Sequence, residues 1–348
     1  MDKLPGRTLV YDVANLLYRV AAVQKHTNPY AREVKPEDLV GLCMHISLQS
    51  IYKWYIKYKP DFVVFAFEGG DIWRKEYTTK KIVKDAYKGN REYDPTMKHF
   101  YELIDSFQRV VQAHTSICCL HIPTMEGDDV IAGYCQLYAA PEHEIIIISA
   151  DKDFTQLLKL PGVKLVEPDK GKQRNLPGDK EYQEDIDYWL FLKCIRGDGG
   201  DNVMSAYPKV RETKIKQAYA DPYYRLNFMN EVWLDENQQP HRVGDHYEKN
   251  IVLLDLYQQP PEERELLLEG IKFQVGDTRN YSHFQFLKFL GEYKLEKVAE
   301  RAQEFVNLFA NNQRWLKGEK KSIAVEKPTD AKLSDSIEQL SETRLLQF

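Results

Sequence analysis

No apolar run in this sequence approaches the roughly 20 residues that span a bilayer, and its start lacks a signal-peptide pattern. A soluble, intracellular and cytoplasmic protein is therefore expected. Cysteine is sparse: Cys43, Cys118, Cys119, Cys135 and Cys194 form no C-x-x-C pair and have no histidine at zinc spacing, which leaves buried reduced thiols as the simplest reading. The nine histidines fall in no Ser/His/Asp order that would support a nucleophilic triad. Internal repeats and low-complexity tracts are missing too, which excludes a solenoid. Nor is there an overall basic excess, since 48 Lys and Arg face 53 Asp and Glu for a net charge of −5. That balance disfavours a nucleic-acid partner at first sight, yet a local basic track can coexist with an acidic site.

At 348 residues and 43% apolar, the chain can build one large domain or two smaller ones. From residue 8 to about 167, short apolar runs alternate with longer mixed stretches. Strands are expected at Thr8–Asp12, Phe62–Phe67, Ile117–Ile122, Glu144–Ser149 and Val163–Val166, with helices at 14–23, 36–57, 96–114 and 126–139. Such alternation predicts an α/β fold, a mostly parallel central sheet with helices on both faces. Beyond about residue 183 the pattern turns helical, at 185–196, 209–220, 245–257, 261–270 and 282–309, with a polar loop over 234–245. The expected division is an α/β unit over 1–182, a helical region over 183–316 and a tail over 317–348. The tail is rich in Lys, Glu, Ser and Asp and ends on Leu345, Leu346 and Phe348, too little apolar matter to fold alone.

Nine carboxylates stand at or near the ends of the apolar runs: Asp12, Glu68, Glu126, Asp128, Asp129, Asp151, Asp153, Asp198 and Asp201. Ligands bind an open α/β sheet at the carboxyl ends of its strands, and gathered carboxylates bind hard cations such as Mg²⁺. Any one of these residues is more simply a surface or capping group, and Glu126, Asp128 and Asp129 sit where a helix begins. Asp151 and Asp153, two apart, share a side of an extended chain, and Asp198-Gly-Gly-Asp201 places two carboxylates on one tight turn. Four or five segments delivering negative charge to one sheet edge call for cations, and two Mg²⁺ about 4 Å apart serve phosphodiester hydrolysis.

A second constellation is basic and aromatic. Over 71–91, seven basic residues (Arg74, Lys75, Lys80, Lys81, Lys84, Lys88, Arg91) outnumber three acidic ones and are interleaved with Trp73, Tyr77 and Tyr87. A solvated helix face is the ordinary explanation of such a run. Here it rises directly after Glu68, so a phosphate-neutralising strap with rings for base stacking is expected over the acidic site.

These motifs together resemble the flap endonuclease/5′→3′ exonuclease superfamily, in its T-even phage branch. The similar stretches are Tyr11-Asp12 with Asn15, Tyr87-Lys88-Gly89-Asn90-Arg91, Glu126-Gly-Asp128-Asp129, Asp151-Lys-Asp153, Lys193-Cys-Ile-Arg-Gly-Asp198-Gly-Gly-Asp201-Asn202-Val203, and 247–256, spanning roughly residues 5–310. The resemblance implies a PIN-like nuclease core, a helical arch at about 71–95, and a helical C-terminal region with a helix-turn-helix duplex-binding element at 198–220. It assigns Asp12, Glu68, Glu126, Asp128 and Asp151 to a first metal group, and Asp129, Asp153, Asp198 and Asp201 to a second. Lys88 and Arg91 match the basic pair that steers the scissile phosphate, so Lys88, Arg91, Asp128 and Asp151 are the expected catalytic residues. Nucleic-acid contacts are expected from Arg74, Lys75, Lys84, Tyr87, Lys88, Arg91, Lys209, Arg211, Lys214 and Lys216.

The implied activity is that of a Mg²⁺-dependent 5′→3′ exonuclease and flap endonuclease with RNase H activity, with Mn²⁺ able to substitute. Its implied role is removal of RNA primers and flaps in lagging-strand replication. The implied partners are DNA and RNA–DNA forks, a single-stranded DNA-binding protein, and a sliding clamp docked by Leu345, Leu346 and Phe348, in the cytoplasm of a bacterial host. A monomer is expected. Two departures stand out: Glu68 replaces the usual Asp, and Ala206-Tyr207-Pro208-Lys209-Val210 replaces a glycine-rich hairpin. The alternatives are a PIN-type endoribonuclease and a non-catalytic fork-junction binder; the first usually lacks the arch and the long helical region, and nine filled acidic positions weigh against the second.

Overall fold

A computed structural model describes residues 6–27, 36–81, 86–91, 98–168, 171–174, 184–277 and 279–313. Lys84 and the expected tail, with Leu345, Leu346 and Phe348, lie outside the described residues. Five strands, β1 (Arg7–Asp12), β2 (Phe62–Ala66), β3 (Cys118–Leu120), β4 (Glu144–Ile148) and β5 (Val163–Val166), form one sheet in the order β3-β2-β1-β4-β5. Every pairing in it is parallel.

Parallel strands buried on both faces read as unbroken apolar runs, and the strand alternation decides which core each side chain joins. Leu9, Tyr11, Val63, Phe65, Ile146 and Ile148 point to one side. Val10, Phe62, Val64, Ala66, Ile145 and Ile147 point to the other. The first side is covered by α1 (Val13–Thr27), α2 (Pro36–Tyr58) and α4 (Lys98–His114). In α4 the buried residues Phe100, Leu103, Ile104, Phe107 and Val111 repeat at helical spacing, which fixes its inward face. The second side is covered by α5 (Gly127–Tyr138) and a 3-10 segment (Asp153–Lys159), with α3 (Trp73–Lys81) at its edge.

The later helices do not stay apart from this core. Five helices, α6 (Ile186–Arg196), α7 (Glu212–Ala220), α8 (Pro222–Met229), α9 (Val243–Leu254) and α10 (Pro261–Gly276), are followed by α11 (His283–Glu292), α12 (Glu296–Ala299) and α13 (Ala302–Phe309). Leu267 and Ile271 of α10 join the second face, while Phe286, Phe289, Phe305 and Phe309 join the first. At about 1.5–3 kcal/mol for each large apolar side chain buried, these helices belong to the α/β core itself. The expected boundary near 182 therefore does not separate two packing units: the chain leaves the core, makes a second cluster around Phe191, Ile195, Ile215 and Phe228, and returns.

Three local expectations differ from the structure. The span 282–309 is three helices rather than one, the first break falling where Lys294 takes a left-handed backbone (φ 54°). The expected loop over 234–245 holds an antiparallel hairpin, β6 (Val232–Leu234) with β7 (Pro240–Arg242), tied down by Trp233 Nε1 donating to the Ala206 carbonyl at 2.9 Å. Helix α8 was not anticipated, although Asp221 caps it by accepting from the Tyr223 and Tyr224 amides and Pro222 opens it.

Among the side chains that fasten the returning chain, Asn312 is fully buried. Buried Asn312 accepts from the Val63 amide and donates to the Val63 carbonyl, both at 2.9 Å, completing the β2 backbone where β3 does not reach. Asn312→Ala leaves a buried donor and acceptor unpaired, so chemical denaturation should show a loss of about 2–4 kcal/mol with unchanged m-value.

Candidate active site

Strand β1 lies between β2 and β4, and the chain runs from it to both sides, so the carboxyl ends of β1 and β4 border the sheet's switch point. Asp12 ends β1, and Asp151 and Asp153 follow β4. Glu68 lies just past β2, and Glu126 and Asp128 begin α5 after β3. Gly69 is obligatory in this edge, because a Cβ there would stand 2.1 Å from the Pro123 carbonyl oxygen. Asp198 and Asp201 arrive on a 3-10 turn (Gly199–Asp201) that Asp198 caps through the Gly200 amide. A cavity of about 390 Å³ is lined by Asp128, Asp151, Asp153, Asp198 and Asp201 with Lys88, Arg91, Asn15, Arg19, Ala150 and Lys152.

The carboxylates divide by their partners. Asp12, almost fully buried, accepts from Ser149 Oγ (3.0 Å) and the Asn15 amide (3.1 Å). Burial, with Glu68 and Asp151 nearby, pushes its pKa up to about 7. Burial also raises Asp128 well above the carboxylate range, with repulsion from Asp151, Asp12 and Glu126 adding to it. No ion pair among the described residues reaches Asp12, Asp128 or Asp151.

The other carboxylates are matched by cations of the chain. Lys193 pairs with Asp153 and lies 3.3 Å from Asp198. Arg91 pairs with Asp201 at 2.7 Å, and Lys88 pairs with Glu126. Burial works against the Lys88 ammonium, yet Glu126, Asp201 and Asp128 raise its pKa above the ordinary lysine value. Glu68 sits exposed at the rim.

Asp129 departs from the expected second metal group. Adjacent residues of a helix point about 100° apart, and where Asp128 faces the cavity, Asp129 turns inward. It accepts from Arg74 Nη1 and Nη2 at 2.5 and 2.7 Å, from Gln259 Nε2 at 2.9 Å and from Trp73 Nε1 at 3.2 Å. Burial opposes its charge, but Arg74 holds the carboxyl below its usual pKa. Arg74 is correspondingly no nucleic-acid contact: it is 1% exposed and also donates to Glu126 and the Leu253 carbonyl.

Tyr87 is corrected in the same way. It is buried, with its hydroxyl 2.9 Å from Glu126 and 3.0 Å from Asp201, so its ring is no base-stacking platform. Trp73 is buried too. The strap over 71–91 is described only as helix α3 and a turn at 86–91; Lys75 is exposed on α3.

Of the expected duplex contacts, exposed Lys209 and Arg211 line a second cavity of about 450 Å³ with Lys214, Thr213, Gln217 and Tyr207 at the start of α7. Lys214 is engaged with Glu231 and lies over the Tyr207 ring. Lys216, half-buried, is 3.8 Å from Glu212. Sequence reasoning missed Arg19 and Lys193 as site residues. Arg19 stands one helical turn after Asn15, and Lys193 falls on the last turn of α6, so spacing alone carried a signal for both.

Among the described residues no three carboxylates form a closed cage around one point. An all-oxygen set with unpaired, mutually repelling members still fits a hard divalent cation, which keeps several waters and takes only one or two carboxylates.

Residues 7–186 match the family model of the 5′-3′ exonuclease N-terminal resolvase-like domain. The chain belongs to the 5′-3′ exonuclease family. It is 27% identical to the ribonuclease H of Enterobacteria phage T4, over 53% of this chain and 60% of that protein. It is 28% identical to the flap endonuclease Xni of Serratia proteamaculans, over 71% of this chain and 91% of the relative. A third relative, the DNA polymerase I of Rhizobium leguminosarum, is 32% identical over 36% of this chain, which spans only 12% of the polymerase. In fold, the chain is similar to the T5 D15 protein co-crystallised with metal ions (TM-score 0.53, 16% identity, 78% of this chain and 98% of that one). It is also similar to the bacteriophage T5 D15 flap endonuclease in a pseudo-enzyme-product complex with DNA and metal ions (TM-score 0.51, 19% identity, same coverage).

Two predictions follow from the charge pattern. Arg74→Met strands buried Asp129 and Glu126, so equilibrium denaturation should show a loss of about 3–5 kcal/mol, partly restored by adding Asp129→Asn. The raised pKa of Asp12 means that the folded state holds a proton the unfolded chain gives up. Its contribution to stability is fully present below 3.8 and is lost as pH rises through about 7. In EDTA the melting temperature should therefore fall between about pH 4 and about pH 7, and saturating Mg²⁺ should abolish that fall.

Proposed function

We propose that this chain is a Mg²⁺-dependent 5′→3′ exonuclease and flap endonuclease acting on DNA and RNA–DNA forks, and that it removes RNA primers and flaps during lagging-strand synthesis. What supports the reading most is the single cavity that Asp128, Asp151, Asp153, Asp198 and Asp201 share with Lys88 and Arg91. Asp12, Asp128 and Asp151, with Glu68 and Glu126 beside them, are the proposed holders of one ion; Asp153, Asp198 and Asp201 are those of a second. Bound divalent ions, Mg²⁺ or Mn²⁺, supply acidification of the attacking water and neutralisation of phosphate charge. T5 5′-exonuclease, a neighbour in fold, is described with divalent zinc bound.

The chain's own groups do the placing. Lys88 presents its ammonium where charge develops on the phosphate, and half-exposed Arg91 turns its guanidinium to the non-bridging oxygens. Ser149 holds Asp12 by donating to its Oδ2, which fixes the carboxylate at the end of β1. Lys75, exposed on α3, is a further proposed phosphate contact, as is Lys84, which lies outside the described residues. Lys209 and Arg211, exposed before α7, hold duplex phosphates away from the cut, aided by Lys214 and Lys216 once these give up their carboxylates. A single-stranded DNA-binding protein and a sliding clamp that takes Leu345, Leu346 and Phe348 are the proposed partners, in the cytoplasm of a bacterial host.

The test is cleavage of a 5′-labelled flap oligonucleotide with Mg²⁺ and with EDTA. Cleavage should require the ion. Asp128→Asn and Asp151→Asn should cut at least about 100-fold more slowly while still binding the fork. Lys209→Ala should instead weaken binding and flatten its salt dependence by about one unit. Undiminished cutting in EDTA, or cutting of single-stranded RNA with no fork preference, overturns the proposal; the latter favours a PIN-type endoribonuclease.

A further inference from the structure

Two asparagine amides cross between the basic turn and the second carboxylate loop. Asn90 Nδ2 donates to the Gly199 carbonyl at 2.9 Å, and Asn202 Nδ2 donates back to the Ala86 carbonyl at 3.0 Å. A backbone carbonyl only accepts, so each amide must turn its nitrogen to its partner. Between them the Lys88 amide donates to the Asp201 carbonyl at 2.8 Å. The turn is thus laced to the loop at three backbone carbonyls, while toward α3 the Tyr87 amide donates to Thr78 Oγ1 at 2.9 Å and the Tyr87 ring lies beside Arg74.

The backbone on both sides of the lacing is uncommon. Lys88 (φ 55°) and Asn202 (φ 58°) both occupy the left-handed region, which asparagine tolerates better than most residues and lysine does not favour. A lysine held there needs support from its neighbours, because the conformation costs free energy. The lacing supplies that support at the residue whose ammonium reaches Glu126 and whose turn carries Arg91 to Asp201. Asp201 adjoins Asn202, and the loop that bears both continues into the segment leading to Lys209 and Arg211.

We propose that Asn90 and Asn202 are positioning residues that set Lys88 and Arg91 in register with the second carboxylate loop. This rests on the reading of Lys88 and Arg91 as the groups that address the scissile phosphate. Neither asparagine touches the phosphate; they act through the turn. An error of about 1 Å in such a group costs up to about 100-fold in rate.

The test uses the full chain on a 5′-flap oligonucleotide, with single-turnover rates in Mg²⁺, affinity by anisotropy in Ca²⁺, and melting temperature. Asn202→Gly keeps the left-handed backbone and removes only the amide; Asn90→Ala removes the other amide at an exposed position. Each should slow the single-turnover rate about tenfold or more, with affinity changed less than about twofold. In a Lys88→Ala, Arg91→Ala background the same changes should have no further effect on rate, since their action runs through those side chains. Rates unchanged by both asparagine variants, or losses that persist in full in that background alongside lower melting temperatures, overturn the inference. If Lys88→Ala with Arg91→Ala leaves the rate intact, it is the proposed function that fails, and this inference falls with it.

Discussion

Repulsion among carboxylates at the carboxyl ends of β1 and β4 is the constraint around which the structure is arranged. Charges that close in a partly buried place must be neutralised by protons, side-chain cations or bound ions. The chain uses its own cations for Asp129 and Glu126 (Arg74), for Asp153 and Asp198 (Lys193) and for Asp201 (Arg91). Among the described residues no cation forms an ion pair with Asp12, Asp128 or Asp151, and burial, with repulsion from neighbouring carboxylates, raises the pKa of Asp12 and Asp128. An external cation is what such a set favours, and Lys88 and Arg91 line the same cavity.

The frame that holds these charges together comes from both ends of the chain. Strands β1 to β5 set the carboxylate edge, α10 closes one face and α11 to α13 close the other. Arg74 joins the parts at the centre, reaching from α3 to the start of α5 and to the Leu253 carbonyl at the end of α9. Asn250 does the same for the cluster around Phe191 and Ile195, donating to the Cys194 and Met204 carbonyls at 2.8 Å each and so fixing the end of α6 to the segment after the carboxylate loop. The site is therefore rigid where carboxylates must converge against their own repulsion.

The five strands and their helices were legible because fully buried parallel strands leave unbroken apolar runs, as in Glu144–Ile148, and because α4 repeats its apolar residues at helical spacing. The carboxylates were legible as strand-end residues. Less legible was which way neighbours point: Asp128 and Asp129 look alike in sequence, and only the buried guanidinium of Arg74 separates a cavity-lining acid from a counterion. Aromatic residues in a basic run suggested stacking, whereas Trp73 and Tyr87 are buried to hold acids in place. The return of 261–313 to the core was invisible because amphipathic helices announce a buried face and not its partner. The hairpin at 232–242 was missed because its strands are only three residues each, too short to show alternation, and a polar stretch separates them.

Calorimetric titration with Mn²⁺ near pH 6.5, repeated in buffers of different ionisation enthalpy, tests the central claim most directly. If Asp12 and Asp128 hold protons in the ion-free protein, binding should release protons, and Asp128→Asn should lose both the binding and the release. Tight binding without proton release, or binding undiminished in Asp128→Asn, would contradict the account.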